Sequence, residues 1–218
     1  MKRLAIETAT EACSVSLEVD GCCIERSEIG ARVHARVLLP WIASLLAEAG
    51  IAHSALDCIA VDRGPGGFTS LRLGLSVAQG IALAHDLPVY PVSSLAALAS
   101  QAHAKTGSRR IVSLLDARMG EVYAGWFEFE GDRMRAAADE WLGPPESLPH
   151  CFDAGIHGVG SGFARFGEVL ADALGTRLET VDPDALPSAR AVAALADRVA
   201  PVPGHRLEPT YLRDRVTG

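Results

Sequence analysis

Hydrophobic and polar positions in the first thirty residues alternate with the period of β-strands. Residues 3–8 (RLAIET) and 13–19 (CSVSLEV) read as strands, with Val15, Leu17 and Val19 on one face of the second. Asp20-Gly21 follows, a pair suited to a type I′ hairpin because both central residues take positive φ. CCIERSEI (22–29) then supplies a third strand. The period lengthens to that of an amphipathic helix over about residues 34–49, returns to a strand at 57–62, and passes through the turn GPGG into an almost wholly apolar helix at 69–85. PVYPV (88–92) is a short strand, and SSLAALASQAHAKT (93–106) a helix opened by a serine cap.

Near residue 107 the pattern restarts. Strands are expected at 109–118, 121–130 and 131–140, then loops rich in Pro and Gly, a strand at 154–160, a helix at 161–174, a strand at 177–181 and a helix at 188–199. Each half is a three-strand meander followed by alternating helix and strand. The reading is α/β with two lobes, each a mixed sheet with flanking helices: residues 1–106, residues 107–200, and a tail 201–218 whose placement stays open. That order of elements is the topology of the actin-like ATPase (ASKHA, ribonuclease-H-like) fold, and order speaks to fold rather than function.

Two helices carry more apolar surface than one sheet face requires. In the first, Leu38, Trp41, Ile42, Leu45, Leu46 and Ala49 form a core stripe, and Val37, Leu39, Pro40, Ala43 and Ala47 widen it. In the second, Leu71, Leu75, Ala78 and Ala82 make one face and Leu73, Val77, Ile81 and Ala84 another, with Arg72, Ser76, Gln79 and Leu83 in a narrow remaining sector. Ser70, Gly74 and Ala78 recur every four residues, spacing that lets another helix approach closely. Leaving Leu73, Val77 and Ile81 in water would forfeit about 1.5–3 kcal/mol each. Either the helices pack on each other and their sheet, or Val37, Leu38, Trp41, Ile42 and Leu45 with Ser70, Leu73, Gly74, Val77 and Ile81 form a subunit interface. Periodicity leaves both readings open.

Candidate chemistry is sparse. GPGGFTS can aim backbone N–H groups at an anion or serve as a structural turn with Thr69 or Ser70 capping the helix, but residues 62–89 contain no Lys, so it is no Walker loop. His34 has Leu38 four residues on instead of a second histidine, and the other histidines are scattered, which speaks against a metal site. There is no G-x-S-x-G elbow. Glu7 and Asp116, each near the end of the first strand of its half, and Gly158 and Gly160 of GVGSG are the residues that a residual nucleotide site would use. The five cysteines lack any C-x-x-C pair and are expected as reduced thiols. A formal net charge of −7 argues against a free-standing nucleic-acid binder. The N-terminus has no signal-peptide run and no stretch has the length and apolar character of a membrane span, so a cytoplasmic protein is expected.

LAIETATEACSVSL, HARVLLPWIASLLAEAGI, DRGPGGFTSLRLGLSVAQGIALAHDLPVYPVSSLAAL, LLDARMGEVYAGWF and the terminal EPTYLR occur here in that order. Together they closely resemble the bacterial TsaB (YeaZ) family of tRNA threonylcarbamoyladenosine biosynthesis proteins, densely over the first 130 residues and thinly afterwards. The resemblance implies a two-lobed actin-like fold without catalysis of its own, a degenerate relative of TsaD, the subunit that transfers threonylcarbamoyl to N6 of adenosine 37 in ANN-reading tRNAs. In the family the two first-lobe helices pair with those of TsaD; TsaE, a small ATPase, joins that dimer, and a TsaC-type enzyme supplies threonylcarbamoyl-adenylate. No cofactor is then required by this chain, ATP belongs to its partners, and tRNA is met only through the complex, away from any membrane. Without TsaD, the apolar stripe implies a homodimer. The sequence departs from the family at Glu7 (usually Asp), Gly67 (usually Ser) and Ser70 (usually Gly). Rival readings are an ATP-dependent phosphotransferase using Glu7, Asp116 and the glycine loops, and a degenerate M22-type metalloprotease-like protein, prompted by the wider family's older glycoprotease label, which needs ligands not seen here.

Overall fold

In the computed structural model residues 1–212 are described; Arg213–Gly218, which hold the end of the EPTYLR segment and of the expected tail, lie outside the described residues. The opening meander forms as the alternation requires: β1 (Lys2–Glu7), β2 (Ala12–Val19) and β3 (Cys22–Ile29), with Leu4 opposite Leu17 and Ile6 opposite Val15. Asp20 and Gly21 sit at φ 50° and 88°, the positive values their turn demands. After α1 (Val33–Glu48) and β4 (Cys58–Asp62) come α2 (Phe68–His85), β5 (Pro88–Val92) and α3 (Ser94–Thr106). Ser93 Oγ accepts the Ala96 N–H at 3.1 Å, the cap expected from the sequence.

The second meander is β6 (Arg110–Arg118), β7 (Glu121–Glu130) and β8 (Arg133–Ala136), followed by β9 (Trp141–Gly143), β10 (Ile156–Val159), α4 (Ser161–Leu174), β11 (Leu178–Asp182), α5 (Ala189–Leu195) and the two-residue β12 (Val202–Pro203). The strand expected over 131–140 stops at Ala136, and the chain re-enters the sheet as β9, pairing with β7.

The first sheet has the order β12-β5-β4-β1-β2-β3 and the second β11-β10-β6-β7-β8. In each, a central strand (β1 or β6) pairs antiparallel with the next strand of its meander and parallel with a strand that follows a crossover. The repeated order is that of the actin-like ATPase fold, with two mixed sheets carrying helices on their faces. One core gathers Leu4, Ile6, Val15 and Leu17 beneath α1 and α2; the other gathers Val112, Leu114, Trp126, Phe163 and Leu170.

The division of the chain differs from boundaries at 106/107 and 200/201. Among the described residues, one compact unit contains Met1–Ala97 and Pro187–Thr210, and the other contains Leu98–Leu186 with Tyr211 and Leu212. The cause lies in β1. Its even-numbered residues point toward α1 and α2, so its odd-numbered ones need a second cover, and α5 supplies it by packing on β1, β2 and β4. Arg3, buried, donates to the Ala193 carbonyl at 2.7 Å and pairs with Asp197, while the Ala189 N–H reaches Ser14 Oγ at 2.8 Å. Beyond α5, Val202 pairs with Val89, Gln79 Nε2 donates to the Leu207 carbonyl at 2.8 Å, and the Thr210 N–H to the Arg63 carbonyl at 2.8 Å. Residues 201–210 of the tail thus close the first unit.

Replacing Arg3 with Ala leaves the Ala193 carbonyl and Asp197 without their donor. Urea unfolding should register a loss of about 1–3 kcal/mol, and limited proteolysis should cut within 187–210 faster than in the wild type.

Candidate functional site

α1 lies against β2, β3 and α2, and α2 against β1, β4 and residues 204–206. Their own unit takes much of the surplus seen in the sequence. Of the ten interface candidates, Val37, Leu38, Ile42, Leu45 and Gly74 are buried in the first core and have no surface to offer a partner. Gly74 is there for close approach: a Cβ on it would stand 2.2 Å from Thr8 Oγ1. Trp41, Leu73, Val77 and Ile81 are half-buried and pack on the same core, and half-buried Ser70 turns its hydroxyl to the Gly67 carbonyl at 3.3 Å. The helix begins at Phe68 after Gly67, with no side-chain cap, so Thr69 and Ser70 lie in its first turn instead of capping it.

What the pair of helices leaves open is a different set. Leu39 is 60% exposed, Leu83 61% and Phe68 51%, the last with the Arg72 guanidinium 3.6 Å above its ring. Pro40, Ala43, Ala47, Ser76, Gly80 and Ala84 are also exposed. The sequence reading counted Leu39 in the surplus of the first helix and Leu83 in the narrow remaining sector of the second, but placed neither in the interface set. A helical wheel records an apolar excess but not which part of it the sheet consumes.

The glycine turn is structural. The Gly67 N–H donates to the Ala9 carbonyl at 2.6 Å, the Ser94 N–H to the Gly64 carbonyl at 3.0 Å, and a Cβ on Gly66 would lie 2.4 Å from the Ala9 oxygen. The turn spends an N–H on the loop after β1 that an anion would otherwise receive.

The four nucleotide-site candidates are committed in the same way. Glu7 is fully buried, with Oε1 accepting the Ala9 N–H at 2.9 Å. Beside it, at the end of the parallel neighbour β4, stands Asp62, also fully buried and not singled out from the sequence because an acid ahead of a glycine turn reads as part of the turn. Burial, together with the charge of Asp62, holds the Glu7 carboxyl well above the usual carboxylate range. Burial also raises Asp62, opposed by the Thr8 N–H and hydroxyl bonded to it. In the second unit, Asp116 accepts the Arg118 N–H at 2.9 Å and pairs with Arg118 and Arg165. A Cβ on Gly158 would stand 2.4 Å from the Phe163 ring, and one on Gly160 equally close to the Leu114 carbonyl. The Gly160 N–H already donates to the Asp182 carbonyl at 3.0 Å. These glycines admit α4 to its sheet.

His34 Nε2 lies 3.0 Å from the Ala12 carbonyl, a buried anchor for the start of α1. Among the described residues no group of three or more His, Cys, Asp or Glu is placed to hold a metal ion, and no helix is long and apolar enough to cross a membrane.

The chain matches the family TsaD, tRNA N6-adenosine threonylcarbamoyltransferase, over residues 27–151. It is 43% identical over 132 residues to tRNA threonylcarbamoyladenosine biosynthesis protein TsaB of Escherichia coli (strain K12), an alignment taking in 61% of this chain and 56% of that protein. The protein of the same name from Haemophilus influenzae is 32% identical over 229 residues, spanning 98% of this chain and 94% of its relative. The solved structure of YeaZ from Pseudomonas aeruginosa superimposes with a TM-score of 0.89 at 39% identity, covering 97% of this chain and 99% of that one. With its sheet order, its glycine turn and this likeness along nearly its whole length, the chain belongs to the TsaB (YeaZ) family.

Proposed function

We propose that this chain is a non-catalytic subunit that docks on TsaD through the outer face of α1 and α2 and acts, with TsaD and TsaE, in threonylcarbamoyl transfer to N6 of adenosine 37 of ANN-reading tRNAs. The observation that carries the docking is the apolar surface the two helices leave uncovered: Leu39, Phe68 and Leu83 are exposed, and Trp41, Leu73, Val77 and Ile81 only half-buried. Small residues beside it, Ser76, Gly80 and Ala84, let a partner helix come near without displacing side chains. The pathway is supported by the name of the relatives, tRNA threonylcarbamoyladenosine biosynthesis protein TsaB.

The non-catalytic role draws on what the candidate groups do instead. Glu7 is sealed from solvent, Asp116 is engaged by two arginines, and the glycine loops close on their own backbone. In this reading ATP is used by the partners and no cofactor is bound here. tRNA is reached only through the complex, in keeping with a net charge of −7. The protein works in the cytoplasm, and without TsaD the same outer face of α1 and α2 pairs two copies of the chain. A phosphotransferase would need Glu7 open to substrate, and a metalloprotease a ligand set, so neither gains support from the site.

Charging Leu39 and Leu83 separates docking from folding because both residues are exposed. Leu39→Glu with Leu83→Glu should weaken association with TsaD at least about tenfold in calorimetry, each buried leucine contributing roughly 1.5–3 kcal/mol, while the melting temperature stays near that of the wild type. Unchanged affinity would remove this interface. In light scattering the same double variant should be monomeric where the wild type, free of TsaD, is a dimer. In a reconstituted reaction of TsaD, TsaE, tRNA and threonylcarbamoyl-adenylate, leaving out this chain should abolish modification; full modification without it would end the accessory-subunit reading.

A further inference from the structure

Glu7 and Asp62 serve no step of that function, yet both are fully buried in the first unit. The register Ile6–Val61 between parallel β1 and β4 places them side by side at the strand ends. Thr8 is fully buried and Ala9 nearly so. Each carboxyl has one oxygen satisfied by the backbone: Ala9 N–H to Glu7 Oε1 at 2.9 Å, Thr8 N–H to Asp62 Oδ1 at 3.0 Å. Each also has one buried oxygen with no partner, Glu7 Oε2 and Asp62 Oδ2. Among the described residues neither carboxyl has a cationic partner. Two neighbouring buried carboxylates cannot both ionise at ordinary cost, whereas one O–H···O⁻ bond satisfies both orphan oxygens at once.

We propose that Glu7 and Asp62 hold one proton between them, and that this proton ties the loop after β1 to the glycine turn ahead of α2, so that the first unit loosens as pH rises. The connections are explicit. Glu7 accepts the Ala9 N–H, and the Ala9 carbonyl accepts the N–H of Gly67, where α2 begins. Asp62 keeps the negative charge because Thr8 gives it both an N–H and, at 3.4 Å, a hydroxyl; Glu7 carries the proton. The other charges acting on Glu7 leave this unchanged. Glu11, in the loop after β1, disfavours a second negative charge, and Cys13 on β2 stays a thiol, pushed up to about 12 chiefly by burial. On α5, Arg190 is engaged by Glu25, and just after that helix Asp197 is engaged by Arg3; on β3, Glu28 is paired with Arg36. A divalent cation is the other species able to bridge two carboxylates, but a hard cation takes six or more oxygens, and this enclosure offers two uncommitted ones.

The sign of the pH effect follows from burial. The folded pair retains a proton at a pH where the unfolded carboxyls, with pKa values of about 4, have released theirs. Stability is therefore fullest below that value and is lost as pH rises through the folded value.

The test uses the full-length wild-type chain with Glu7→Gln, whose amide keeps a donor on Asp62 without a titrating proton, and Asp62→Asn. Between about pH 6 and 9, where exposed carboxylates are ionised in both states, the wild-type folding constant should fall by up to about tenfold per pH unit relative to Glu7→Gln. Equal pH slopes would overturn the proposal. Infrared spectra of the wild type near pH 6.5 should contain the C=O band of a protonated carboxyl, shifted in D2O, missing from Glu7→Gln and, because Glu7 carries the proton, retained in Asp62→Asn. Its absence from the wild type would overturn the proposal whether or not either variant folds. A midpoint raised by Mg²⁺ or Ca²⁺ in the wild type but not in Glu7→Gln would also overturn it, by placing a cation where the proton is assigned.

Discussion

β1 runs through its sheet with β4 parallel on one side and β2 antiparallel on the other, and a central strand of this kind has two faces to be roofed. Leu4 and Ile6 turn toward α1 and α2; Arg3 turns the other way and meets α5. At the strand's end the same alternation sends Glu7 to lie beside Asp62, while Thr8 rests against the bare backbone of Gly74. The glycine turn, the start of α2 and the return of the chain after residue 187 all take their positions from this strand. That is also why the outer face of α2 is held rigidly: its inner face is pinned at Gly74, Leu75 and Ala78.

Local pattern carried the elements well. Residues 22–29, 88–92, 121–130 and 161–174 form the strands and the helix that period and turn residues mark out. The failures are of another kind. β9 and β12 are three and two residues long, too short to show a period. The helix after residue 188 is recognisable as a helix, but nothing in its own residues says which sheet it roofs, because Ala, Val and Leu would suit either. In the site, half of the apolar positions suspected of facing a partner are used by the chain's own core, and Leu39 and Leu83 are left outside. Burial is a property of the assembled unit, and a wheel drawn from one helix does not contain it. Asp62 was illegible for the same reason, since its meaning comes from a neighbour more than fifty positions away in the chain.

Gly66, Gly74, Gly158 and Gly160 share one cause. At each, an added Cβ would come within 2.6 Å of an atom on another element. Glycines before a helix can serve an anion or can serve contact between segments, and the two uses look alike in sequence. The N–H groups separate them: those of Gly67 and Gly160 are already given to the carbonyls of Ala9 and Asp182.

The first unit is discontinuous, with Leu98–Leu186 inserted between its two pieces. During synthesis at about 5–20 residues per second, the ribosome therefore releases β1 to α3 several seconds before the segment that covers the rear of β1. In that interval the buried face of the nascent sheet is open to chaperones and to other chains. The inserted unit has all of its strands available sooner and can finish first. Two sheets alike in strand order are thus completed at different times.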